Sequence, residues 1–152
     1  MRLRPALFLA LAATLLPALQ AAAEGVQPAR AMSIPVPDAE RGRIIFVAKG
    51  CVVCHAVNGV GGKAGPALDA SEPAGVFDPL DFAARMWRGA PMMIELQALE
   101  FGYQIDLTAN DIADLAAFAE NHEIQRRFTE AEIPEIMRGW TLEGYELLEK
   151  AE

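Results

Sequence analysis

Apolar residues recur at helical spacing in three places along the chain, and each run is bracketed by residues that start or stop helices. In "DAERGRIIFVAKG", Asp38 stands at the N-cap, Ile44, Phe46 and Val47 supply the apolar positions, and Gly50 offers a stop, so a first helix is expected. Gly42 inside it costs about 1 kcal/mol relative to alanine, which fits a close approach by another helix. In "FDPLDFAARMWRGAP", Asp78 caps, Pro79 suits the first turn, and Gly89 with Pro91 ends a second helix of about 10 residues. The clearest pattern starts at Thr108, where Asp111 completes a capping box and Ile112, Leu115, Ala116 and Ala119 share a face.

The segments between carry different patterns. Residues 56 to 77 are rich in glycine, hold two prolines and show no sustained period, which describes a long loop covering something functional. Residues 24 to 37 hold three prolines and read as an extended leader. After His122 the chain becomes acidic, with short helices expected at 130 to 137 and 141 to 150. With no strand pattern of any length and no internal repeat, the class is all-α.

The first residues change the picture of where the protein works. "MRLRPA" is basic, "LFLALAATLLPAL" is apolar and "AAAE" offers small residues, the three parts of a secretory signal peptide over residues 1 to 23. The apolar run of about 13 residues, broken by Pro17, is short of the roughly 20 that a spanning helix needs, so no stable membrane insertion is expected after cleavage. The expected location is the periplasm. What remains suits one domain, set at residues 38 to 122, followed by an acidic extension at 123 to 152.

Charge narrows the partners. The formal charge of −8 includes Arg2 and Arg4 of the signal segment, so the mature chain stands at −10. Such a balance argues against nucleic acid or an anionic lipid surface, both of which reward clustered Lys and Arg. A protein partner with a basic docking face suits it better.

Candidate chemistry is concentrated in "GCVVCHAVNG", residues 50 to 59, which contains both cysteines and one of the two histidines of the chain. A disulfide between Cys51 and Cys54 would close a tiny loop and stabilise little. Two thiols three positions apart on a helical turn can both reach one edge of a planar macrocycle, with His55 projecting toward its centre. That is the spacing for covalent haem attachment, Cys51 and Cys54 as thioethers and His55 as axial ligand. The rivals are weaker. A thioredoxin-like dithiol wants a βαβ surround, and a zinc site would need Cys51, Cys54, His55 and His122 together although Cys54 and His55 are adjacent. The plain reading, two packed cysteines, leaves the clustering unexplained. A second axial ligand could come from Met86, Met92, Met93 or Met137.

The order "GCVVCH", "GPAL" at 65 to 68, "MWRGAPMM" at 86 to 93 and "LTANDIADLAAF" at 107 to 118 resembles the successive signatures of class I c-type cytochromes, over roughly residues 38 to 120. The resemblance implies three to four helices around one covalently bound haem c, with an acidic helical C-terminal extension. In one bacterial branch the ligand methionine sits in a stretch similar to Trp-Asn-His-Ala-Pro-x-Met. Laid on Trp87 to Met93, it implies Met93 in a loop beyond the second helix, with Met92 as the alternative and with Arg88 and Gly89 departing from the pattern. It further implies that the Pro66 carbonyl accepts from the His55 ring, that Leu68 packs on the haem, and that Gly42 and Phe46 cross Leu115 and Phe118. Trp87 is a pocket residue or a core one, Met86 is packing, and His122 is a helix-end residue.

The expected function is therefore a monohaem c-type cytochrome carrying single electrons between redox partners outside the cytoplasm, and not an enzyme. The alternatives are a subunit bound permanently to a periplasmic oxidoreductase, and a haem protein with an open axial position for a small ligand. The extension is either solvated helix folded on the domain or a docking element anchored by Phe128, Trp140, Tyr145 and Leu148.

Overall fold

The computed structural model describes residues 35–71 and 77–141. The signal segment, most of the leader and the helix expected at 141 to 150, with Tyr145 and Leu148, lie outside the described residues, apart from Thr141. Helix α1 is Ala39–Ala48, α2 the single turn Cys51–Cys54, α3 Pro79–Glu100, α4 Ala109–Ala119, α5 His122–Arg127 and α6 Glu135–Arg138, with a 3₁₀ turn at Glu130–Glu132. None of the described helices is long and apolar enough to cross a membrane.

Asp38 caps α1 by accepting from the Glu40 and Arg41 N–H groups at 2.9 and 3.1 Å. The helix buries Gly42, Phe46 and Val47 and leaves Ile44 outside. Its partner is α4, whose capping box forms between Thr108 and Asp111. The two helices cross at Gly42, where a side chain would collide with the Asp114 carbonyl. Beside the crossing, buried Asp114 takes a two-pronged contact from Arg41, Nε and Nη2 each at 2.9 Å, and the Asp38 N–H at 2.8 Å. A buried carboxylate is tolerable only when its oxygens are satisfied in this way.

Three expectations need correction. Gly89 and Pro91 do not end the second helix, since α3 runs on to Glu100 with Pro91 inside it. Buried Phe82 and Leu96, half-buried Met86 and Met93, share one stripe that passes straight through the Gly-Ala-Pro. Continued burial of that stripe offsets the roughly 3 kcal/mol of an interior proline. The helix expected at 130 to 137 is split, because Pro134 forces Ile133 into extended backbone at φ −82°, ψ 118°. The glycine-rich loop also contains a minimal antiparallel ladder, β1 Ala56–Val57 with β2 Val60–Gly61, turned at Asn58 and Gly59 with positive φ at both.

The core is an aromatic triangle. Phe46 lies 5.6 Å from both Phe118 and Phe128, centroid to centroid, and Phe118 lies 6.0 Å from Phe128. Phe128 follows α5, so residues beyond His122 complete the domain's interior, with Ile124 and Ile133 buried beside it. Ion pairs from Arg127 to Glu40 and from Arg43 to Glu132 fasten the same segment to α1. Phe128 is thus a core residue, unavailable as a docking anchor, while Trp140 is exposed.

Candidate functional site

Helix α2 is one turn, entered through Gly50 in the left-handed region at φ 77° and left through His55 in extended backbone. Buried Val52 and Val53 pin that turn to the domain. Cys51 and Cys54 stand at i and i+3, hence on one side of it, each partly exposed and neither in a disulfide. Desolvation pushes the Cys51 thiol up to about 11, and burial with the nearby Glu100 charge raises that of Cys54. Both sulfurs are therefore thiols at neutral pH. A cleft lined by Val53, Glu100, Phe101 and Trp140 opens beside them.

The loop after the ladder then folds back onto His55. Its Gly65 N–H donates to the Cys54 carbonyl at 2.7 Å, and the Leu68 N–H to the Ala56 carbonyl at 2.9 Å. Between these two ties the Pro66 carbonyl lies 2.7 Å from His55 Nδ1. A carbonyl can only accept, so Nδ1 carries the proton and Nε2 keeps its lone pair. The imidazole lies hard against Gly65, where a Cβ would stand 2.4 Å from the ring's Cε1. Glycine is needed there for space.

The structure thus brings Cys51, Cys54, His55 and Pro66 together, and packs Leu68 against the core cluster. Trp87 is 81% exposed, which overturns its reading as a core tryptophan. Met93 lies in α3 and not in a loop, its methyl group folded back toward Gly89. Met92 is 40% exposed on the next position around the helix. His122 begins α5 and sits 3.0 Å from the Ser71 carbonyl, and no cluster of three His, Cys, Asp or Glu side chains fit for a metal ion forms among the described residues. One residue near the site had no signal in its local sequence. Gln125, a single amide in the polar stretch "HEIQRR", is 1% exposed and hydrogen-bonded to the loop that carries Pro66.

The residues present fit a covalently held haem. Two free thiols share one face of a turn, and the adjoining imidazole is already locked in the tautomer that offers Nε2 to a metal. The family model for cytochrome c matches residues 39–123, more than half of the chain. The protein belongs to the cytochrome c family, and is a haem-binding electron-transfer protein with a class I cytochrome c fold. Comparison with curated proteins and with solved structures gives no match.

Proposed function

We propose that the protein is an exported carrier of single electrons that holds one haem c through Cys51 and Cys54, with His55 Nε2 and the Met93 sulfur on the iron. The His55–Pro66 contact carries the reading, because it spends Nδ1 on a carbonyl and leaves Nε2 as the only ring atom for a metal. Bound haem supplies a one-electron couple at iron. The chain's own residues do the rest. Pro66 fixes the ring's tautomer and direction, while buried Val52 and Val53 and the packed Leu68 hold the turn and the loop in place. Met93 is favoured over Met92 because it shares the inward stripe of α3 with Phe82, Met86 and Leu96.

With His55 and Met93 both holding the iron, the chain would leave no open place there for a substrate, which supports transfer over catalysis. The acidic surface suits a basic redox partner, and transfer rates should fall as ionic strength rises. Rates flat across salt concentration would remove that steering. Arg2, Arg4 and the apolar run after them support export to the periplasm.

The test is periplasmic material examined by intact mass and by oxidised and reduced spectra, with Met93→Ala alongside. Wild-type protein should carry the mass of one haem and a six-coordinate, low-spin spectrum. The variant should turn high-spin and bind carbon monoxide or cyanide. A colourless chain of bare mass overturns the proposal, and an unchanged spectrum in Met93→Ala removes Met93 from the iron.

A further inference from the structure

Gln125 is almost fully buried, and its amide is used at every atom that can bond. Oε1 accepts from the Ala70 N–H at 2.9 Å, while Nε2 donates to the Leu68 carbonyl at 2.8 Å and to the Phe118 and Ala119 carbonyls at 3.0 and 3.2 Å. Turning the amide over would set its NH₂ against an N–H and its oxygen against three carbonyls, so only one orientation is consistent. The side chain therefore bolts two things together. One is the C-terminal end of α4, whose last carbonyls lie past its regular ladder, the Phe118 carbonyl also accepting from the Glu120 and Asn121 N–H groups. The other is the stretch Leu68–Ala70, directly after Pro66.

That stretch is what holds the Pro66 carbonyl at His55. Pro66 is strung between the Gly65–Cys54 and Leu68–Ala56 bonds, and the Leu68 peptide is gripped from the far side by Gln125. One turn earlier on α5, His122 meets the Ser71 carbonyl, extending the grip to Ser71.

We propose that Gln125 is a positioning residue for the His55 side of the haem site, acting through Leu68–Ala70 and the Pro66 carbonyl. The inference rests on the reading of His55 as an axial ligand. An imidazole that donates firmly from Nδ1 pushes more electron density to the metal at Nε2, which favours the oxidised state. Loosening the loop weakens that donation, so the reduction potential rises and the ring N–H becomes easier to exchange. Burial of a polar side chain in the core predicts a loss of stability on its removal, but neither of those two changes.

The experiment uses haem-loaded protein, in which the wild-type spectrum first shows whether haem is present. Its absence would overturn the reading of the site itself and is seen before any variant is made. In the reduced, diamagnetic form, Gln125→Leu should speed exchange of the His55 ring N–H by about tenfold, the scale of one net hydrogen bond, and raise the potential. Phe128→Leu, which weakens the neighbouring core without touching the loop, should lower stability and leave both readings at wild-type values. Equal behaviour of the two variants overturns the proposal. If Gln125→Leu does not mature, native-state exchange of the wild-type protein decides. The Ala70 amide and the His55 ring N–H should open together along a denaturant series, and independent opening overturns the proposal.

Discussion

Gly42 and Asp114 meet backbone to backbone where α1 crosses α4: a Cβ placed on Gly42 would lie 2.0 Å from the Asp114 carbonyl oxygen and 2.8 Å from the Phe118 Cβ. The first contact is with a helix backbone, which cannot swing aside as a side chain can. Gly42→Ala must therefore part the two helices and disturb the Phe46–Phe118 contact behind them. The expected loss is about 1–3 kcal/mol, even though alanine favours helix more than glycine does. Urea unfolding should show a lower midpoint at an unchanged slope. A more stable Gly42→Ala variant would mean that the crossing is looser than the structure has it.

Phe128 fills the third corner of the aromatic triangle from outside the span that matches the family. At 4% exposure it is as much a part of the core as Phe46. Phe128→Ala should cost about 3–5 kcal/mol, and a chain ending before residue 128 should fare worse. Thermal unfolding of the haem-loaded protein measures both. Loss of under about 1 kcal/mol would show that the core closes without it.

What could be read from the sequence was whatever local chemistry settles. Asp38 and Thr108 are caps because a short oxygen side chain at that spot satisfies N–H groups two or three residues on, and both bonds form. The cysteine pair and His55 lie within five residues, so their grouping needed no knowledge of the fold. Gly89 and Pro91 misled because punctuation is local while the burial of Phe82, Met86 and Leu96 along α3 is not. Asn58-Gly59 between valines was a legible hairpin signal, and the prediction of a structureless loop passed over it. The end of the domain was invisible for a further reason. Ile124, Gln125 and Phe128 read as scattered positions in a polar tail until α1 and α4 supply the surface they cover.

Stability should respond to acid through the capping box. The Thr108 backbone N–H, donating at 2.9 Å, and then the hydroxyl and Lys49, hold the Asp111 carboxyl below its ordinary range. A carboxyl depressed in the folded state contributes stability that is complete above its unfolded value of about 3.9 and is lost as pH falls through the folded one. Asp111→Asn should thus be less stable than wild type at neutral pH, with the difference shrinking once the pH drops below about 3.9. Thr108→Ala should cost about 1 kcal/mol at neutral pH, the usual value of a lost cap. Unfolding midpoints taken across pH 7 to 3 measure these; a gap between Asp111→Asn and wild type that widens on acidification would reverse the sign and refute the assignment.

The His55 ring offers the most direct probe of the site, because Gly65 leaves it no slack. A Cβ on residue 65 would stand 2.4 Å from Cε1 and 2.6 Å from Nδ1, so Gly65→Ala has to tilt the imidazole or push residues 65 and 66 away from it. Either movement lengthens the Nδ1–Pro66 bond, and pushing residue 65 away also loosens its N–H bond to the Cys54 carbonyl, while the side chains of Cys51 and Cys54 take part in neither contact. Haem should still attach through both cysteines, so the mass is expected to match that of the wild type plus one methylene. The potential should rise, for the weakened donor gives the oxidised metal less support. Potentiometric titration alongside intact mass separates the two effects. A fully loaded Gly65→Ala protein with the wild-type potential would show that contact between this glycine and the ring does not govern how His55 holds the metal.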